Sequence, residues 1–182
     1  MRKKGLSPVV ATIAIILVTV GAVSFIAGFL VPYFKTQLNE GTECVDYREY
    51  FTFDDSFGFN CYEAREGFYL TGVSVRANSA PDRVAQGVKG FELLFFEGAE
   101  SKKVTVENGL AGGSLRGETK LWNSTASLAV PEEGGVRTYV YNSSERVTRV
   151  EIFPVLKEND RQCDKSAEVE INLPCTPIGI LV

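Results

Sequence analysis

Histidine is absent from all 182 residues. Its absence removes the commonest general base, every Ser-His-Asp triad and the most frequent nitrogen ligand for a metal. The four cysteines, Cys44, Cys61, Cys163 and Cys175, contain no C-x2-C pair, which argues against a zinc site. Gly109, Gly112, Gly113 and Gly117 match neither a phosphate-binding loop nor a dinucleotide fingerprint. Internal repeats and low-complexity tracts are also missing. Basic residues are scarce after Lys35: residues 36–182 hold 15 Lys and Arg against 23 Asp and Glu, a net charge of −8. Such a surface repels nucleic acid. Asp54-Asp55 lies among Phe51, Phe53, Phe57 and Phe59 and reads as a solvated turn in an aromatic-rich loop, since adjacent carboxylates do not normally converge on one ligand. The sequence therefore predicts no enzyme, no catalytic residue, no metal and no cofactor.

Acidic residues are missing altogether before Glu40, and what fills that space is an uncharged apolar run from Leu6 to Phe34. Arg2, Lys3 and Lys4 precede it and Lys35 closes it. As an α-helix these 29 residues would extend about 43 Å, whereas a bilayer core of about 30 Å needs only about 20 residues. The run is apolar on every side, so it must be buried all round, in lipid or among other helices. Ser7 and Pro8 suit an N-cap and a first helical position; Pro32 is expected to kink or end the helix. A secretory signal peptide has an apolar region about half this long. The basic flank predicts a cytoplasmic N-terminus and an external C-terminal domain.

Residues Arg2-Lys3-Lys4-Gly5-Leu6-Ser7-Pro8-Val9-Val10-Ala11-Thr12-Ile13 resemble the start of archaeal type IV pilins and their archaellin relatives. The close match covers roughly the first 30 residues; beyond them the likeness is one of architecture. The resemblance implies a class III signal: residues 1–5 form a basic leader, and a membrane prepilin peptidase cuts between Gly5 and Leu6, with Lys4 as the basic residue before the cut. Ser7-Pro8-Val9 is similar to a motif common after that cut. One departure is Val10, which stands fifth after the cut where bacterial type IV pilins usually carry Glu. The resemblance further implies a cell-membrane precursor that becomes an extracellular surface filament. Its partners would be copies of itself or other pilins, the prepilin peptidase, a pilus assembly ATPase, a membrane platform protein and the membrane. In such a filament residues 6–35 are the transmembrane and filament-core helix. Gly21-Ala22 and Ala27-Gly28 would then let helix backbones approach closely.

Residues 36–43 read as a joint, with Asn39-Glu40-Gly41 a plausible helix end, and residues 44–182 as one β-rich external head. Alternating or β-branched runs predict strands over Phe68–Arg76, Gly90–Phe96, Lys103–Val106, Arg137–Tyr141, Val147–Leu156 and Glu168–Leu173. Pro154 suits an edge or a bulge. The fold class expected is α+β: a long N-terminal hydrophobic helix, then a mainly antiparallel β-sandwich-like head. An even cysteine count in an external domain predicts two disulfides. Three pairings are open. The favoured one is Cys44–Cys61 with Cys163–Cys175, each within a local excursion; Cys44–Cys175 is the alternative that ties the chain's end to the joint. Asn123-Ser124-Thr125 and Asn142-Ser143-Ser144 are N-glycosylation sequons in polar, turn-like surroundings. A structural pilin is the leading reading. A minor or tip adhesive pilin and an uncleaved single-pass binding ectodomain are its alternatives.

Overall fold

The computed structural model describes residues 8–34, 44–110, 119–121 (backbone only) and 127–176. The chain divides into two units, Met1–Glu43 and Cys44–Val182, and the fold is α+β as the pattern predicts. In the first unit, helix α1 runs from Pro8 to Phe25, passes through a π-helical turn at Ile26–Leu30, and continues to Phe34. Pro32 therefore neither ends the helix nor forces it to stop short. Its ring would press on the carbonyl four residues back, at Gly28, and it has no N–H to give that carbonyl. The turn ahead of it widens instead, with the Val31 N–H donating five residues back to the Ile26 carbonyl.

The head is two antiparallel sheets. The first contains β1 (Phe51–Phe53), β2 (Cys61–Arg65), β3 (Phe68–Ala77), β6 (Thr119–Leu121) and β7 (Val136–Ser143). Its order is β1-β3-β7-β6, and β2 shares the β1 edge of β3. The second contains β4 (Val88–Glu97), β5 (Glu100–Glu107), β8 (Val147–Leu156) and β9 (Ala167–Glu170), in the order β5-β4-β8-β9. A short helix α2 (Asp82–Gly87) carries the chain from β3 to β4, with Val84 buried.

Strand β4 shows why the sheets pack. Phe91, Leu93 and Phe95 alternate inward and are fully buried, while Glu92, Leu94 and Phe96 are half-exposed. Across the layer, Phe91 meets Phe51 at 4.7 Å and Tyr139 at 5.6 Å between ring centroids, and Phe95 stacks on Tyr141 at 4.1 Å. Val73, Val75, Val106, Val150 and Ile152 fill the rest. On β8, Val147 and Val150 both join this core although three residues apart; an irregularity at Phe96/Glu97 absorbs the extra residue. A second irregularity lies between Val88 and Gly90, next to the Phe91–Pro154 pair. Pro154 therefore lies one pair beyond it, and its carbonyl accepts from the Cys163 N–H. Gly90 faces the Val106 carbonyl so closely that a Cβ there would collide with it.

Candidate functional site

Two features carry the chemistry: the apolar helix and the covalently braced head. Pro8–Phe34 spans 27 residues and is long and apolar enough to cross a membrane. Its residues are all exposed except Leu30, which is half-covered. Its hydroxyls turn inward to the helix itself. Thr12 Oγ1 donates to the Val9 carbonyl (2.9 Å), Thr19 Oγ1 to Ile16 (2.9 Å) and Ser24 Oγ to Val20 (2.8 Å). Three polar groups are thereby satisfied without water, as a lipid or helix-bundle setting demands. Gly21, Ala22, Ala27 and Gly28 are exposed, and a Cβ added at Gly21 or Gly28 meets nothing within 4 Å. Ala27 and Gly28 lie within the π-helical turn. The expected cleavage residues Lys4, Gly5 and Leu6 lie outside the described residues, as does Ser7; Pro8 and Val9 open the helix.

In the head the cysteines pair differently from expectation. The disulfides are Cys44–Cys163 and Cys61–Cys175, with Cα–Cα distances of 5.4 and 5.0 Å. Neither local pair forms, nor does Cys44–Cys175. The reason is topological. The C-terminal segment returns beside β2: the Tyr62 N–H donates to the Leu173 carbonyl (3.1 Å), and the Cys175 N–H to the Tyr62 carbonyl (2.9 Å). That sets Cys175 against Cys61. The β8–β9 connection meanwhile passes the start of the head, where Ser166 Oγ reaches the carbonyls of Arg48 (2.8 Å) and Phe51 (2.6 Å). Cys163 thereby meets Cys44. Two disulfides point to an oxidising, extracellular location.

Asp54 also departs from its sequence reading. Only Asp55 is exposed; Asp54 is buried. Asp54 Oδ2 accepts from Arg76 Nε (2.7 Å) and Nη2, and Oδ1 from the Ser56 N–H (2.9 Å). Asn60 completes the brace: its Nδ2 donates to Asp55 Oδ1 (2.6 Å) and its Oδ1 accepts from the Ser74 N–H (2.7 Å). Burial pushes the Asp54 carboxyl upward, but the Arg76 guanidinium and the Ser56 hydrogen bonds outweigh it and hold the group below its ordinary value. The pair is a loop brace. Above it, Phe57 and Phe59 stack with Phe57 largely exposed, whereas Tyr50 and Phe51 enter the core.

The setting of the Asn142 sequon also differs from its sequence reading. Strand β7 runs two residues past the predicted end, because β3 continues to pair with it through Tyr69 opposite Ser143. Asn142 is therefore a strand residue, 5% exposed, and not part of a turn. Asn123 lies outside the described residues. Among the described residues no three His, Cys, Asp or Glu side chains gather to hold a metal. Sequence reasoning missed the Asp54–Arg76 brace, whose partners are 22 positions apart and carry no local signal. Neither the known family models nor the curated protein sequences give a match to this chain.

Proposed function

We propose that the chain is a structural subunit of an archaeal type IV pilus-like surface filament. It is made as a membrane precursor with its head outside, cut after Gly5, and assembled through its apolar helix. The carrying observation is the 27-residue helix, apolar on all sides, behind Arg2-Lys3-Lys4-Gly5. A bilayer needs about 20 such residues. The surplus gains a purpose in a filament core, where helices bury one another along their length. On this reading the prepilin peptidase, assembly ATPase and platform protein act on the helix, and the head plays no catalytic part. An uncleaved single-pass ectodomain would use the same helix as a plain anchor.

N-terminal sequencing of membrane and sheared-surface fractions separates the two. Leu6 is expected as the first residue in the filament fraction, and Gly5→Trp is expected to hold the protein in the membrane. A chain that starts at Met1 in both fractions, or filaments that form normally from Gly5→Trp, would sink the proposal.

A further inference from the structure

A cavity of about 490 Å³ opens at one end of the sandwich, between the β2–β3 turn, the β4–β5 hairpin and the end of β7. Phe68, Glu97, Lys102, Tyr141, Asn142 and Ser144 contribute to its lining, which is more apolar than polar. Its size and mixed lining are those of a small-ligand site. The unusual member is Glu97, 7% exposed and on the last position of β4. Its Oε1 accepts from the Tyr141 hydroxyl at 2.7 Å, which uses that hydroxyl's one proton. Its Oε2 has no hydrogen-bond partner among the described residues. Glu97 itself lines the cavity. A carboxylate with one protein donor keeps acceptor capacity for a ligand's hydrogen-bond donor.

The surrounding charges select the class of that donor. An anion would meet Glu97. A cation would meet the Lys102 ammonium on the same rim, itself 3.3 Å from Glu100. The group that satisfies both is neutral, donates hydroxyl hydrogens to Oε2 and offers a carbon face to the apolar lining. We propose that this cavity binds a neutral saccharide unit, with Glu97 Oε2 accepting from its hydroxyls. The site does not rest on the filament reading: glycoside binding and the mature N-terminus are read by separate experiments.

The test uses the full chain in detergent micelles, titrated with the methyl glycosides of glucose, galactose, mannose and N-acetylglucosamine. Saturation-transfer NMR and calorimetry provide the readout. At least one glycoside is expected to bind. Glu97→Gln preserves the acceptor for Tyr141 but replaces the free acceptor by a donor, and should weaken binding at least tenfold. Ser144→Trp, at an exposed position of the lining, should block binding and leave the thermal midpoint unchanged; it decides the matter if Glu97→Gln fails to fold. The proposal is overturned if no glycoside binds up to about 50 mM, a free energy of under about 2 kcal/mol. It is equally overturned if both variants bind as the parent does, or if lysine methyl ester or acetate binds through Glu97 and the glycosides do not.

Discussion

Removing one disulfide from the head should cost about the same whichever is removed, and removing the second should cost more than the first. The bridges span 119 and 114 positions, and closing either loop alone in the unfolded chain corresponds to about 5 kcal/mol in the chain-entropy account. The two loops interlock. Once one bridge exists, the second closes only the circuit through it: 17 positions from Cys44 to Cys61 and 12 from Cys163 to Cys175. A circuit of about 29 residues is worth about 3.5 kcal/mol, so the pair together contributes about 8.5 kcal/mol. Local pairing would close loops of those 17 and 12 positions separately, about 3 kcal/mol each. The interlocked arrangement thus constrains the unfolded chain by about 2.5 kcal/mol more.

The assay is urea unfolding of the full chain in micelles, followed by near-UV circular dichroism, for three variants: Cys44→Ala/Cys163→Ala, Cys61→Ala/Cys175→Ala and all four replaced. Each double variant should lose about 3.5 kcal/mol. The second should lose up to about 1 kcal/mol more, because Cys61 and Cys175 also pack with Leu70 and Val140. The quadruple variant should lose more than the sum of the two, enough to unfold a domain whose whole stability is about 5–15 kcal/mol. Strict additivity, or one bridge that proves neutral while the other is essential, would refute the interlocked-circuit reasoning.

Asp54→Asn should destabilise the head by about 2 kcal/mol at neutral pH, since it leaves Arg76 without its charged partner in a largely buried brace. Because the folded-state carboxyl is held below its ordinary value, its contribution is present above about pH 4 and is lost as pH falls through the depressed value. Urea midpoints of parent and variant should therefore converge in acid; a constant gap down to full protonation would contradict the assignment. Tyr139 and Tyr141 are pushed upward, first by burial and for Tyr141 also by Glu97. Their contribution is present below about pH 10 and is lost as pH rises beyond it, so their phenolate absorbance should appear only with unfolding; early titration of all seven tyrosines would count against the buried core. On the filament reading, Gly21→Leu and Gly28→Leu should leave membrane insertion intact and reduce filament yield, scored by membrane flotation against sheared pili. Equal yield from both variants would remove these residues from the packing face.

Legibility followed the range of the forces involved. The helix could be read because 29 uncharged residues leave no other solution, and β8 emerged at its predicted limits, Val147–Leu156. Strands β1 and β6 are three residues each, too short for periodicity; β2 exists because Glu66-Gly67 turns the chain back on β3, with Arg65 opposite Phe68. Cysteine pairing depends on which strands become neighbours after the chain has crossed between sheets at α2. A local rule could not see Cys175 return to β2. The setting of Asn142 was misread for a related reason: its polar sequence suggests a turn, but strand length is set by the partner β3 and not by β7 alone. Asp54 shows the converse, a polar pair that reads as surface until an arginine on the neighbouring strand is counted.

The helix and the head obey opposite requirements. Fifteen large apolar side chains between Val9 and Phe34 are exposed in the single chain. Even at about 1.5 kcal/mol each for burial, covering them is worth more than about 20 kcal/mol, above the entire stability of an ordinary domain. The chain therefore has no low-energy state with this helix bare in water: lipid or other helices must supply the cover. Exchange between those two is nearly balanced in hydrophobic terms, since lipid tails and packed leucines are equally apolar. What tips it is backbone approach and packing, which is why the small residues and the π-helical turn before Pro32, rather than hydrophobicity, are the places where an anchor and an assembly helix would differ.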